Sequence, residues 1–405
     1  MAGAAIIIGA GQAGAQGAMS LRQSGYDGDI IMIGAEAVLP YQRPPLSKAY
    51  LKGELTRERL FLRPKEFYET HNIQLKLGCR ATLIDRGAQT IHTDNGETLG
   101  YECLLLATGA PPRKLHAPGA TLPGVFYLRS IADSDCLRPV LSGKGRVVIV
   151  GAGYIGLEVA AVARQAGRDV TVLEMSDRVL ARVASPLVSK FYENLHRAAG
   201  VDLRLGATME SFVGDSVLEG VKLADGEIID CSAALIGIGA VPEVELAAEA
   251  GLEIANGIVV DEYARTSDPH IWAAGDCASF PSPRYGRRVR LESVPNAIEQ
   301  AKAAGTNMAG GSHIYDALPW FWSDQYEVKL QTVGLSEGHD ELVVRGDAPT
   351  KCFAVWYLKD GKAIAVDAIN DAASFVMGKR LIMGGVMLDP TALADIRIDL
   401  KSLAS

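Results

Sequence analysis

Short runs of β-branched residues, each broken by a glycine-rich turn and followed by an alanine-rich stretch, set the pattern of this chain. Ile6-Ile7-Ile8-Gly9-Ala10-Gly11-Gln12-Ala13-Gly14 returns much further along as Val148-Ile149-Val150-Gly151-Ala152-Gly153-Tyr154-Ile155-Gly156. In each copy an apolar run passes through the turn into residues of helical character, which predicts strand, turn and helix twice over. A second strand follows each copy after a glycine-containing turn, at residues 29–33 and 169–174, so a βαβ unit is complete in both. Beyond the second unit, residues 201–205 and 217–223, with Asp225-Gly226 as a turn signal, read as short alternating strands of an attached β-meander. From about Pro319 the alternation resumes. Residues 351–358 and 363–369 flank Asp360-Gly361, a hairpin signal that marks a separate α+β domain.

The spacing of the glycines carries chemistry. Gly9 and Gly151 permit the tight turn, Gly11 and Gly153 let the backbone approach a pyrophosphate, and Gly14 and Gly156 let the helix pack close to its strand. Each helix N-terminus then offers free N–H groups and a positive dipole end to a dinucleotide. One such turn is weak evidence, because glycines cluster at ordinary turns; two in matching context are strong. A carboxylate ending the second strand accepts hydrogen bonds from ribose hydroxyls and repels a 2′-phosphate. In the second unit this is Glu174, which favours NADH, with Arg178 and Arg182 close enough in sequence to weaken the preference. In the first unit the strand ends in Gly34, and Glu36, two residues on, is assigned to the FAD ribose. Leu104-Leu105-Leu106-Ala107-Thr108-Gly109 and the run from Thr266 to Gly275-Asp276 each end an apolar strand in a turn, and the Asp276 carboxylate suits the ribityl chain of a flavin.

Composition narrows the class. Hydrophobic residues make up 48% and charged residues 22% of 405, ordinary globular usage at a length suited to two or three domains. The 43 glycines, about 11% against an average near 7%, fit tight turns and ligand-hugging loops. A net charge of −8 argues against a nucleic-acid binder. Met1 to Leu21 carries no side-chain charge but lacks the basic start of a secretory signal, and the apolar stretch Val147 to Ala163 is broken by glycines and Glu158. No membrane span and a cytoplasmic location are expected. Cys79, Cys103, Cys136, Cys231, Cys277 and Cys352 form no close pair and the seven histidines no ligand spacing, so neither a disulfide framework nor a metal site is expected.

Taken together, both glycine motifs, Pro40-Tyr41-Gln42-Arg43-Pro44-Pro45-Leu46-Ser47-Lys48, the Ala107-Thr108-Gly109 and Ala274-Gly275-Asp276 turns, Glu292-Ser293-Val294-Pro295-Asn296-Ala297 and Pro319-Trp320-Phe321-Trp322-Ser323-Asp324-Gln325 span nearly the whole chain. In these residues the sequence resembles the FAD-dependent, NADH-linked ferredoxin reductases of oxygenase systems, within the glutathione-reductase-like superfamily. The resemblance implies an α/β protein with two Rossmann-like dinucleotide-binding domains and a C-terminal α+β domain. Residues 1–112 and 244–318 would bind FAD, 113–243 NADH, and 319–405 would form the last domain.

By the same resemblance Arg43 approaches the FAD pyrophosphate and Lys48 lies near the flavin ring. Glu158 faces the nicotinamide and pairs with Lys48; these two are the candidate catalytic residues. Thr108, Gly109 and Asp276 belong to the flavin site, Val294 contacts the flavin's pyrimidine edge through its backbone, and Trp322 lies next to the isoalloxazine. Ile155 belongs to the nicotinamide-nucleotide site, as does Gly239 in Ile236-Gly237-Ile238-Gly239-Ala240-Val241-Pro242, although Glu243 stands where relatives usually have Asn.

Thiol chemistry is not expected: the loop before Lys48 holds no cysteine, and Cys277, the only one near the flavin site, reads as a packing residue. The implied activity is hydride transfer from NADH to FAD followed by single-electron transfers to an acidic [2Fe–2S] ferredoxin that feeds an oxygenase, by a monomer. A rubredoxin reductase or a diaphorase with another acceptor remains the alternative, and an interaction protein resembling apoptosis-inducing factor a remoter one. Docking is expected near Arg287 and Arg290, within the cluster that also holds Arg284 and Arg288, and near Lys302 and Trp322.

Overall fold

The structure, a computed structural model, describes residues 4–404. It groups into two compact units. One comprises the chain up to Gln42, Arg57–Pro111 and Ala240–Pro319; the other comprises Arg43–Thr56, Pro112–Gly239 and the chain from Trp320 on.

The first unit is built on a seven-stranded sheet. Its centre is the strand Ala4–Ile8, paired in parallel with Ile30–Gly34 on one side and Thr98–Leu106 on the other. Ile73–Leu77 and Ile271–Ala273 extend the parallel part, and Thr90–Thr93 and Ala81–Asp85 add an antiparallel flank. Ile6, Ile7, Leu104 and Leu105 are fully buried, as a parallel sheet covered on both faces requires. On it the helices Gln12–Gln23 and Val294–Met308 share one core through Ala18, Leu21, Ala301 and Ala304.

The second unit carries a five-stranded parallel sheet, in the order Asp202–Leu205, Val170–Glu174, Val147–Val150, Ala233–Ile236, Val125–Phe126. One expectation is corrected here. Residues 201–205 do not belong to the meander; they form an edge strand of this sheet. Alternation over a few residues is the same for a meander strand and a sheet edge, so pairing decides. The meander consists of Met209–Val213, Gly220–Leu223 and Ile228–Asp230, and the first half of the expected 217–223 strand is loop, with Val217 half exposed.

The chain then forms a five-stranded antiparallel sheet, ordered Trp320–Gln325, Val328–Gly334, Lys362–Ile369, Cys352–Lys359, Glu341–Asp347. Asp360 and Gly361 both have positive φ at its central hairpin, the backbone that a two-residue turn between twisted strands demands. The strand Trp320–Gln325 lies along the helix Tyr154–Gln165 of the same unit, with the rings of Phe321 and Tyr154 4.6 Å apart. The architecture is mixed α/β, two parallel Rossmann-like sheets and a C-terminal antiparallel sheet. No helix among the described residues is long and apolar enough to cross a membrane.

The last sheet buries a carboxyl group. Asp367 is 5% exposed and accepts a hydrogen bond from the Tyr357 hydroxyl at 2.5 Å; burial pushes its carboxyl up to about 7 against that bond. Between an unfolded-state value of about 3.9 and 7, the folded chain binds a proton the unfolded chain has released, so stability falls as pH rises through this window. Asp367→Asn removes the penalty. The gain in melting temperature should be larger at pH 8, where it corresponds to roughly 2–4 kcal/mol, than at pH 5; equal gains at both pH values would contradict this.

Candidate active site

In the first unit the functional candidates gather at the carboxyl ends of parallel strands, where ligands of open α/β sheets bind. Gly9 follows the strand Ala4–Ile8 with φ +112°, and a Cβ there would stand 2.1 Å from the Ala107 carbonyl oxygen. A Cβ at Gly14 would stand 1.8 Å from the Gly9 carbonyl oxygen, whereas at Gly11 it would meet nothing within 4 Å. The backbone is therefore closed beneath the turn and open above it. Around this opening Thr108 Oγ1 donates to the Glu243 carbonyl at 2.7 Å, ahead of Gly109. The Glu36 carboxylate accepts from the Tyr41 hydroxyl at 2.7 Å. Asp276 follows the strand Ile271–Ala273, and its carbonyl accepts from Arg290 Nη1 at 2.9 Å. Val294 opens its helix behind the capping Ser293.

The second unit repeats the construction. Gly151 has φ +104° and faces the Gly237 carbonyl, Gly156 faces the Gly151 carbonyl, and a Cβ at Gly153 would have nothing nearer than the Gly237 carbonyl oxygen at 4.0 Å. Ile155, in the first helical turn, is 45% exposed. Glu174 closes the second strand, and its two carboxylate oxygens accept the Ala152 and Ser176 N–H groups at 2.8 Å each, tying strand end to glycine turn. Arg178 spends its guanidinium on the Ala184 and Ala181 carbonyls and Ser189 Oγ. Arg182 lies over Gly239, whose φ is +102°.

The structure's own test of whether these turns suit a dinucleotide is how the helices are capped. Among the described helices of twelve residues or more, those beginning at Ile131, Pro186, Val294 and Ala372 are capped by the side chains of Ser130, Ser185, Ser293 and Asp371. The two that follow glycine turns have no side-chain cap. Their first N–H groups remain for a ligand, and an anion is what a positive helix end attracts. The residues fit a dinucleotide at each turn.

Within the second unit the helix Tyr154–Gln165 also places Glu158, whose side chain is 4% exposed. Lys48 Nζ donates to its Oε2 at 2.6 Å, and Ser47 Oγ to the same oxygen at 2.5 Å. Ser323 Oγ donates to Oε1 at 2.7 Å. Lys48 follows the 3-10 turn Pro44–Ser47, whose prolines set the chain direction, and Arg43 just before it donates to the Arg129 carbonyl at 2.6 Å. Trp322 is half buried beside Trp320, their rings 5.6 Å apart. Sequence reasoning placed Lys48 and Glu158 together but overlooked Ser47 and Ser323. Lone serines carry no periodic signal, although both sit inside motif strings that were singled out.

Two parallel sheets that each end in a glycine turn and an uncapped helix define a protein of the two-dinucleotide class. Residues 4–301 match the model of the pyridine nucleotide-disulphide oxidoreductase family and residues 320–404 that of the reductase C-terminal domain. The chain is 46% identical over 404 residues to a 5,5'-dehydrodivanillate O-demethylase ferredoxin reductase subunit of Sphingobium sp. strain SYK-6, covering 99% of this chain and 98% of that one. It is 44% identical to putidaredoxin reductase of Pseudomonas putida, covering 98% and 96%. Its fold matches the crystallised covalent putidaredoxin reductase–putidaredoxin complex with a TM-score of 0.96 at 43% identity, covering 99% and 98% of the two chains. The chain belongs to the pyridine nucleotide-disulphide oxidoreductase family, whose members work with FAD and NAD(P)H, and is a flavin oxidoreductase of the ferredoxin reductase type.

Despite the family's name, Cys277 beside Asp276 is built for packing. It is fully buried with Sγ near the Leu106 and Ala274 carbonyls, and burial pushes its thiol up, away from the reactive thiolate. Cys277→Ser should leave pyridine-nucleotide-dependent ferricyanide reduction within several-fold of the parent. Loss of activity with FAD retained would make the thiol a participant.

Proposed function

We propose that this enzyme passes electrons from NADH through FAD to a [2Fe–2S] ferredoxin that feeds an oxygenase, acting as a cytoplasmic monomer. The observation that carries this reading is the Lys48–Glu158 ion pair, its carboxylate buried on the helix of the second glycine turn and its ammonium partly buried beside it: an ion pair sheltered from water suits the place where a nicotinamide meets a flavin. FAD, when bound, supplies the chemistry, accepting a hydride and giving up electrons singly.

The chain's residues bind and orient. Residues 1–112 and 244–318 would hold FAD through the first glycine turn, Glu36, Arg43, Thr108, Gly109, Asp276 and the backbone of Val294. Residues 113–243 would hold NADH through Gly151, Gly153, Ile155, Gly156, Gly239 and Glu174. Residues 319–405 would contribute Trp322 against the isoalloxazine. Glu158 and Lys48 would set the nicotinamide and flavin rings, and no side chain need act as acid or base. Glu174 supports NADH over NADPH, and so does Arg178, whose guanidinium is committed to its own loop.

For an acidic partner, a chain of net charge −8 needs a local basic face. Within the first unit Arg288 and Arg290 are spent on backbone carbonyls, with Arg290 also paired to Glu292. Arg287 and Lys302 are exposed, the latter in a surface pair with Glu299. Arg287 and Lys302 are the docking residues proposed in the first unit, with Arg290 bracing the segment that bears Arg287; Trp322 is the one proposed in the second.

The test is nucleotide preference. Purified protein should be yellow, hold one FAD, reduce a [2Fe–2S] ferredoxin with NADH, and show a higher kcat/KM for NADH than for NADPH. Glu174→Ala should erode the preference by roughly 1–3 kcal/mol, the worth of hydrogen bonds to an ionised group. Equal efficiency with both nucleotides in the parent enzyme would overturn the assignment.

A further inference from the structure

A line of buried polar side chains runs away from Glu158, and beyond Ser323 it is used by nothing described so far. Ser323, which touches the carboxylate, accepts from Gln325 Nε2 at 3.2 Å. Gln325 Oε1 lies 2.8 Å from His196 Nε2, and His196 Nδ1 lies 3.3 Å from the Tyr326 hydroxyl. Ser323 and His196 are fully buried and Gln325 is 1% exposed. Three elements of the second unit supply the line: the helix Tyr154–Gln165, the strand Trp320–Gln325 with its following turn, and the helix Pro186–Ala198.

The direction of every bond follows from the carboxylate. An ionised Glu158 can only accept, so Ser323 must give it its one hydroxyl proton and must itself accept from Gln325. That turns the Gln325 amide so that its nitrogen faces Ser323 and its oxygen faces His196. His196 then has to carry its proton on Nε2, which leaves Nδ1 to accept from Tyr326. Burial pulls the imidazole down to about 4 and pushes the Tyr326 phenol up to about 12, so the ring is neutral and the phenol keeps its proton, as the chain of donors requires. Tyr326 adopts a positive φ of 56° to turn the strand at this point, a conformation unfavourable for a bulky residue. Each donor polarises the next, and a fully satisfied buried network fixes one arrangement.

We propose that Ser323, Gln325, His196 and Tyr326 form a one-way donor relay whose task is to hold the Glu158 carboxylate in a single orientation for the nicotinamide, with His196 and Gln325 as positioning residues. This rests on the proposed role of Glu158 toward NADH. The relay carries orientation and polarisation, and no proton moves along it.

The experiment is rapid-mixing measurement of FAD reduction by NADH in the holoenzyme, resolving the limiting rate from the NADH dissociation constant. His196→Phe fills the volume without a donor, His196→Asn places its amide at the Nδ1 end, and His196→Gln places an amide N–H at the Nε2 position. His196→Phe and His196→Asn should slow the limiting rate about threefold to tenfold, the effect of one lost hydrogen bond between neutral groups, with little change in the dissociation constant. His196→Gln should recover most of the loss. Ser323→Ala should slow reduction by a similar factor, and the double variant Ser323→Ala/His196→Asn should be no slower than Ser323→Ala alone. Equal rates for the Asn and Gln variants, or additive losses in the double variant, would overturn the relay and leave His196 a packing residue. If the parent FAD is not reduced by NADH, the functional reading itself fails. A normal parent with unaffected variants sinks only the relay.

Discussion

Burying the Glu158 carboxylate is the constraint around which the second unit is arranged. Removing a charge from water costs several kcal/mol even after relaxation, and the cost is met only where a counter-charge and donors fill its lone pairs. Here Lys48 and Ser47 serve one oxygen and Ser323 the other. The three donors come from two segments far from the helix in sequence, Arg43–Thr56 and the first strand of the C-terminal sheet. Their need to meet at one carboxylate explains why both segments pack with the second unit. Taking away one partner of such a pair leaves an uncompensated charge, worth about 3–5 kcal/mol, so the site and the assembly of the unit are coupled.

The two glycine turns impose a different constraint. In each, a glycine in the left-handed region faces a carbonyl of the neighbouring strand's exit, Ala107 in one and Gly237 in the other. A side chain at either position would push apart the two strands between which the ligand is expected. The same construction leaves both helix ends uncapped while the other long helices are capped by Ser or Asp. Among the described helices of twelve residues or more, the N-terminal N–H groups left without a side-chain cap are thus those at the two places where an anion can use them.

Much of this was legible in the sequence because it is local. The paired motifs, the strands that became Ile30–Gly34 and Val170–Glu174, and the hairpin at Asp360-Gly361 all rest on short-range turn chemistry and apolar runs. The strand Asp202–Leu205 was misplaced because parallel pairing to a distant strand leaves no mark on a four-residue segment. Lys48 and Glu158 were paired through family resemblance and not through spacing, and Ser47, Ser323, Gln325 and His196 acquire their roles only once the fold brings four separate stretches of chain together. A buried histidine on an amphipathic helix reads as core until its two neighbours are known.

The most direct test of the central claim is the limiting rate of FAD reduction by NADH in Glu158→Gln, a change that keeps shape and removes charge, with FAD content and circular dichroism checked alongside. If the charged carboxylate held by Lys48, Ser47 and Ser323 orients the reacting rings, the rate falls by about tenfold or more while FAD stays bound. A rate within about twofold of the parent in a folded, FAD-replete variant would contradict the account, since a lost charge-assisted contact is worth more than that.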